Sequence, residues 1–127
     1  QARAQALVQS HSALALLQKS ELIALTPQAL EANFDVIINA TPVGMFPDVQ
    51  SLSAPDKIID KNKVVFDLVY SPLQTRLLQI AKQRGARTIS GIDMFLAQGI
   101  KQIELWTGKN IINPNLVSRL KKLLVKN

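Results

Sequence analysis

The 127-residue sequence has no cysteine and a single histidine. Disulfides, thiol nucleophiles and zinc–thiolate sites are therefore excluded, and His-rich metal centres or an internal Ser-His-Asp triad lack their parts. Aromatic residues make up only 5%, and no groove-reading motif accompanies them, which argues against nucleic acid as a partner. No apolar run approaches the roughly 20 residues of a membrane span; Val36-Ile37-Ile38 and Ala13 to Leu17 are typical of the longest. The five glycines, at 44, 85, 91, 99 and 108, contain no G-x-G, so a glycine-rich phosphate turn is not among them.

What is present has the composition of a folded chain, 47% apolar and 19% charged, with a length that suits one domain. Fifteen Lys and Arg against nine Asp and Glu leave a net charge of +6. The basic residues are scattered, and only Arg119, Lys121, Lys122 and Lys126 gather, near the end of the chain. That spread suits a solubilising surface better than a polyanion site; neither a nucleic-acid nor a membrane partner is expected, and no metal. Gln1 follows neither a Met nor a charged leader, so the chain is expected to be a piece of a longer protein.

The pattern predicts helices alternating with strands. Ala6, Leu7, Ala13, Leu14 and Leu17 recur at helical spacing in the stretch Ala2 to Leu17. Glu21 to Leu25 reads as a short strand, and Thr26-Pro27 as the start of a short helix. Asp35 to Asn39 is a β-branched run expected to be a strand buried on both faces, followed by a loop from Thr41 to about Lys61. Lys63 to Tyr70 is the next strand. Ser71-Pro72-Leu73-Gln74 fits a helix start with Ser71 as N-cap, and Gly85 is placed to end that helix. Arg87 to Ser90 forms a strand closed by Gly91. A long helix from Ile92 to Thr107 carries Leu96, Ile100, Ile103 and Trp106, with Phe95 and Trp106 as core candidates. A terminal amphipathic helix follows Asn113-Pro114, on Leu116, Leu120 and Leu124. The architecture is α/β with a mostly parallel sheet.

In such a sheet, ligands bind where strands end, since loops and helix N-termini gather polar groups there. Three strand ends qualify: Asn39 to Met45, Asp67 to Pro72, and Gly91. They are expected to line one crevice. Gly91, Met94 and Gln98 fall on one side of the following helix. Asp67 and Lys63 lie within the strand and are expected to be structural, Asp67 through a hydrogen bond near the strand end. His11 is expected to be an ordinary surface histidine.

NATPVGM at 39–45, DLVYSPLQTRLL at 67–78 and GIDMFLAQGIKQIELWTG at 91–108 together resemble the shikimate dehydrogenase family, three motifs in order between about residues 35 and 108. The resemblance implies a single incomplete, Rossmann-like NADP-binding domain over 1–127, with 92–127 as its carboxyl-terminal helices. It implies an oxidoreductase that reversibly reduces 3-dehydroshikimate to shikimate with NADPH, in the cytoplasm. Asn39, Thr41, Leu68, Gly91 and Met94 match cofactor-side positions, and Tyr70 and Gln98 match positions on the shikimate side. Arg3, in Gln1-Ala2-Arg3-Ala4, resembles the family's basic residue for the 2′-phosphate, a task suited to a guanidinium.

No segment matches the family's amino-terminal domain, which carries the lysine–aspartate pair and the serines that grip the substrate. No catalytic residue is therefore assigned, and the chain alone is expected to be inactive. Ser71 stands where the family commonly has Asn, and Phe95 where it commonly has Leu. The alternative is a truncated, non-catalytic module that associates through the exposed edge and faces of an incomplete sheet.

Overall fold

A computed structural model of the chain describes residues 34–125, which belong to one compact unit, Phe34–Asn127. The helix expected over 2–17, the strand over 21–25, the helix start at Thr26, and the residues Arg3 and His11 lie outside the described residues.

Three strands form the sheet: β1 (Val36–Asn39), β2 (Val64–Asp67) and β3 (Arg87–Ile89). They lie in the order β1-β2-β3, all parallel. Helix α1 (Arg76–Gln83) connects β2 to β3. Helices α2 (Gly91–Thr107) and α3 (Pro114–Val125) complete the described chain. This is the expected α/β architecture with a parallel sheet.

The core lies between the sheet and α1. Val65 of β2 meets Leu77, Leu78, Ile80 and Ala81 of α1, with Ile59 and Ala86 closing the cluster and Ile37 of β1 packed against it. Side chains alternate across a strand, so the same face of β1 carries Ile37 and Asn39, and the same face of β2 carries Val65 and Asp67. The opposite face differs from expectation. Val36 is 50% and Ile38 59% exposed, so β1 is buried on one face rather than two. Among the described residues, α1 covers only the Ile37 side.

Two boundaries also moved. Strand β2 stops at Asp67, and Leu68 to Tyr70 continue as loop. The N-cap of α1 is Thr75, not Ser71; its hydroxyl accepts from the Leu78 N–H at 3.3 Å. Thr75 wins because it is buried beside Asp67, whose carboxylate accepts a hydrogen bond from its hydroxyl, whereas Ser71 is exposed. The other end is as expected. Gly85 takes φ +76, the Ala86 N–H reaches the Ala81 carbonyl at 2.9 Å, and the Gly85 N–H reaches Lys82 at 3.1 Å, a Schellman stop.

Along α2, Ile92, Leu96 and Ile100 are buried. Trp106, expected in the core, is 76% exposed, and Ile103 and Phe95 are exposed as well. The buried stripe of α2 ends at Ile100, about two turns before the helix does, so its last apolar residues face outward. Glu104 accepts from the N–H groups of Ile111 and Ile112 at 3.2 and 3.3 Å, fixing the turn into α3.

Candidate functional site

Strands β1 and β2 are in register through Asn39 and Asp67. Their side chains therefore leave the last rung of the sheet side by side, on the α1 face. Asn39 Nδ2 donates to Asp67 Oδ1 at 2.9 Å and to the Val43 carbonyl at 3.1 Å. Its Oδ1 accepts from the backbone N–H of Thr41 at 3.1 Å and from the Thr41 hydroxyl at 2.6 Å. Asp67 Oδ1 accepts again from the Val69 N–H at 3.0 Å, and Oδ2 takes the Thr75 hydroxyl at 2.5 Å. Asn39, Asp67 and Thr75 are all buried. A buried polar group left unpaired costs about 1–3 kcal/mol, and here each is matched.

The segments that leave the two strand ends line a cleft of about 410 Å³, walled by Ala40, Thr41, Pro42, Met45, Phe46, Leu68, Val69, Tyr70 and Ser71. That volume lies within the usual range of small-molecule sites, about 300–1,000 Å³. The wall is mainly apolar, with the hydroxyls of Thr41, Tyr70 and Ser71 as polar points. Tyr70 stacks on Phe95, ring centroids 5.5 Å apart and planes at 27°, which brings the first turns of α2 to the mouth of the cleft. Ser90 caps α2 and Asp93 accepts its hydroxyl at 2.5 Å. No group of three or more His, Cys, Asp or Glu side chains is placed to hold a metal among the described residues.

The family model for the shikimate 5′-dehydrogenase C-terminal domain matches residues 91–111. A shikimate dehydrogenase (NADP(+)) of Methanococcus maripaludis is 44% identical over 95 residues, 74% of this chain and 33% of that protein. The solved shikimate 5-dehydrogenase of Listeria monocytogenes, in complex with shikimate and NAD, matches with a TM-score of 0.60 at 39% identity, over 70% of this chain and 30% of that one. The enzyme of Thermus thermophilus, in complex with NADP(H) and shikimate, gives 0.58 at 33% identity, over 66% and 31%.

The chain matches the shikimate dehydrogenase family. It spans 27% to 33% of the length of the first curated relatives it matches.

Among the residues singled out from the shikimate dehydrogenase motifs, Thr41, Leu68 and Tyr70 come together in the cleft wall. Asn39 is behind that wall. Both lone-pair directions of its oxygen and both N–H groups of its amide are already engaged, so its side chain shapes the loop rather than facing the cleft. Gly91 is buried, and a Cβ there would lie 2.5 Å from the carbonyl oxygens of both Leu68 and Val69. The close approach this glycine permits is thus to the chain's own backbone. For the same reason the third strand end does not line the cleft: Gly91 is packed beneath Leu68 and Val69. Met94 is half-buried and Gln98 exposed on α2, neither of them in the cleft wall. Asp67 is structural, as expected.

Ala40, Pro42, Met45, Val69 and Ser71 also line the cleft, inside the two strand-end stretches expected there though given no individual role, and Phe46 lines it from outside them. Met45 lies inside the NATPVGM motif, and Val69 and Ser71 lie inside DLVYSPLQTRLL, so the motifs held them. What the motifs lacked was orientation: Phe46 is 80% exposed, a position that neither periodicity nor spacing assigns.

Proposed function

We propose that this chain is the nicotinamide-side part of a shikimate dehydrogenase, an NADP-dependent oxidoreductase that reversibly reduces 3-dehydroshikimate to shikimate in aromatic amino-acid biosynthesis. The 127 residues form one incomplete Rossmann-like domain of that cytoplasmic enzyme, with 92–127 as its carboxyl-terminal helices. The observation that carries this reading is the cleft at the ends of β1 and β2, walled by Thr41, Leu68 and Tyr70 in the motifs the family shares.

The cleft suits the flat nicotinamide end of the cofactor. Its walls are apolar, its edges offer hydroxyls and loop backbone, and its volume is small. A pyrophosphate cradle has no counterpart in the five glycines. Thr41, the Leu68 backbone and Met94 would hold the nicotinamide side, with Gly91 keeping that backbone in place and Arg3 as the 2′-phosphate ligand. When bound, the cofactor supplies the hydride. The chain's own part is orientation: Met45, Phe46 and Val69 form an apolar wall, and Tyr70 and Gln98 present hydrogen-bonding groups to the substrate's hydroxyls. Proton transfer falls to a lysine on a part of the enzyme that this chain does not match.

A chimera tests the reading. Residues 35–108, placed in the corresponding segment of the Methanococcus maripaludis enzyme, are expected to support NADPH-dependent reduction of 3-dehydroshikimate. In that chimera Gln98→Ala is expected to raise KM for the substrate about ten-fold, the loss of one or two hydrogen bonds. The purified 127-residue chain is expected to show no turnover. A folded chimera without activity overturns the family role, and turnover by the chain alone overturns its dependence on a partner domain.

The exposure of Val36 and Ile38 favours a second reading, an association module that self-associates through the sheet face left open among the described residues. The two readings are compatible if the same face is covered in the complete enzyme.

A further inference from the structure

Asp67 is the most buried charged residue described, fully enclosed, and the chemistry of the cleft makes no direct use of it. Its carboxylate joins three parts of the molecule. Through Oδ1 it holds Asn39, whose amide in turn holds Thr41. Through the same oxygen it fixes the Val69 N–H, on the opposite wall. Through Oδ2 it takes the hydroxyl of Thr75, which caps α1 by accepting from Leu78. Every partner donates: an amide N–H from Asn39, a backbone N–H from Val69 and a hydroxyl from Thr75. Thr75 also neighbours buried Gly44: its Cβ and Cγ2 lie 3.6 and 3.8 Å from where a Cβ there would be, in the loop that carries Met45 and Phe46.

We propose that Asp67 is a positioning residue of the cleft, one that sets both walls, at Thr41 and at Val69, from the N-terminus of α1. It acts through Asn39 and Thr75 and touches no substrate. A helix cap alone needs only Thr75 and Leu78. A strand end alone needs only Asn39 and Thr41. The carboxylate makes them one unit, so disturbance at one end is felt at the other. The role assigned to the two walls rests on the cofactor reading above, but the coupling itself does not.

Amide hydrogen exchange in the 127-residue chain, read by NMR, tests the coupling. Thr75→Val keeps the shape against Gly44 and removes the hydroxyl. The expected result is exchange faster by about ten-fold at Thr41 and Val69, neither of which Thr75 touches, with Ala86 and Arg87 unchanged; a coupling of this size is usual for linked sites. Thr75→Ser restores the slow rates. Acceleration confined to Leu78 would make Thr75 a helix cap and overturn the proposal.

Because coupling is reciprocal, Thr41→Val, which removes the hydroxyl that Asn39 Oδ1 accepts, is expected to accelerate exchange at Leu78. No change there overturns the proposal even if the Thr75 variant fails to fold. A parallel NADPH titration by fluorescence addresses the other reading. Absence of binding by the wild-type chain counts against the cofactor site alone, and the exchange rates still decide the coupling.

Discussion

Gly91 begins α2 where a side chain has no room. An added Cβ would meet two backbone carbonyl oxygens at 2.5 Å, and backbone cannot swing aside as a long side chain can. Gly91→Ala is expected to destabilise the chain by about 1–3 kcal/mol or more, and to push the Leu68–Val69 wall outward. Urea unfolding checks the first effect. Gly99 is the control, in the same helix with nothing within 4 Å of its Cβ position. There Ala is expected to stabilise by about 0.5–1 kcal/mol, because glycine loses more backbone freedom on helix formation. Equal effects at the two positions would contradict this account of Gly91. The motif drew attention to this glycine but not to its contact, because a close approach is legible in sequence while the approaching atoms are not. Asn39 shows the same limit: its place in the motif was plain, yet whether its amide faces the cleft or the protein depends on Asp67, 28 residues away.

The helix pair α2–α3 is joined by polar contacts at each end. Lys121 reaches Asp93 Oδ1 at 2.5 Å, and Glu104 accepts from Ile111 and Ile112. Partial burial pushes the Asp93 carboxyl up, but the hydrogen bonds from Lys121 and Ser90 and the lysine's charge together hold it below its ordinary value. Glu104 behaves alike: desolvation raises it, and hydrogen bonds from Ile111, Lys101 and Ile112 bring it below the usual range. A carboxyl lowered in the folded state adds stability that is complete above the unfolded-state value and is lost as pH falls through the folded one. Lys121→Met is therefore expected to lower stability at neutral pH by about 0.2–1 kcal/mol, the scale of exposed pairs. The difference from wild type should shrink as the pH drops below the ordinary carboxylate range, and again at high salt. Denaturant melts at pH 7 and pH 3 measure it, and a difference unchanged between them would dismiss the pair. At this scale the sequence was most readable. Periodicity located all three strands and helices between residues 34 and 125 to within a few residues. It misplaced the start of α1, because Ser71 and Thr75 both have the chemistry of a cap and only the tertiary partner of Thr75, Asp67, decides between them. It also put Trp106 and Phe95 in the core. Hydrophobicity says that a residue benefits from cover, not that the described chain supplies it.

At the scale of the whole molecule, two properties pull in opposite directions. A net charge of +6 disfavours contact between copies through self-repulsion, an effect that salt screens. The β1 face with Val36 and Ile38 exposed favours contact, since each apolar side chain removed from water gains roughly 1.5–3 kcal/mol when fully covered. Two such residues from each of two copies, less the cost of association, leave a weak complex that repulsion can tip. The chain is therefore expected to sediment as a monomer at low ionic strength and to self-associate as salt rises, with Val36→Thr/Ile38→Thr remaining monomeric throughout. Threonine keeps the β-branched shape that strands favour, so the variant tests the surface rather than the fold. If wild type and variant sediment identically at high salt, the β1 face is not what brings copies together, and the association reading loses the observation that supports it.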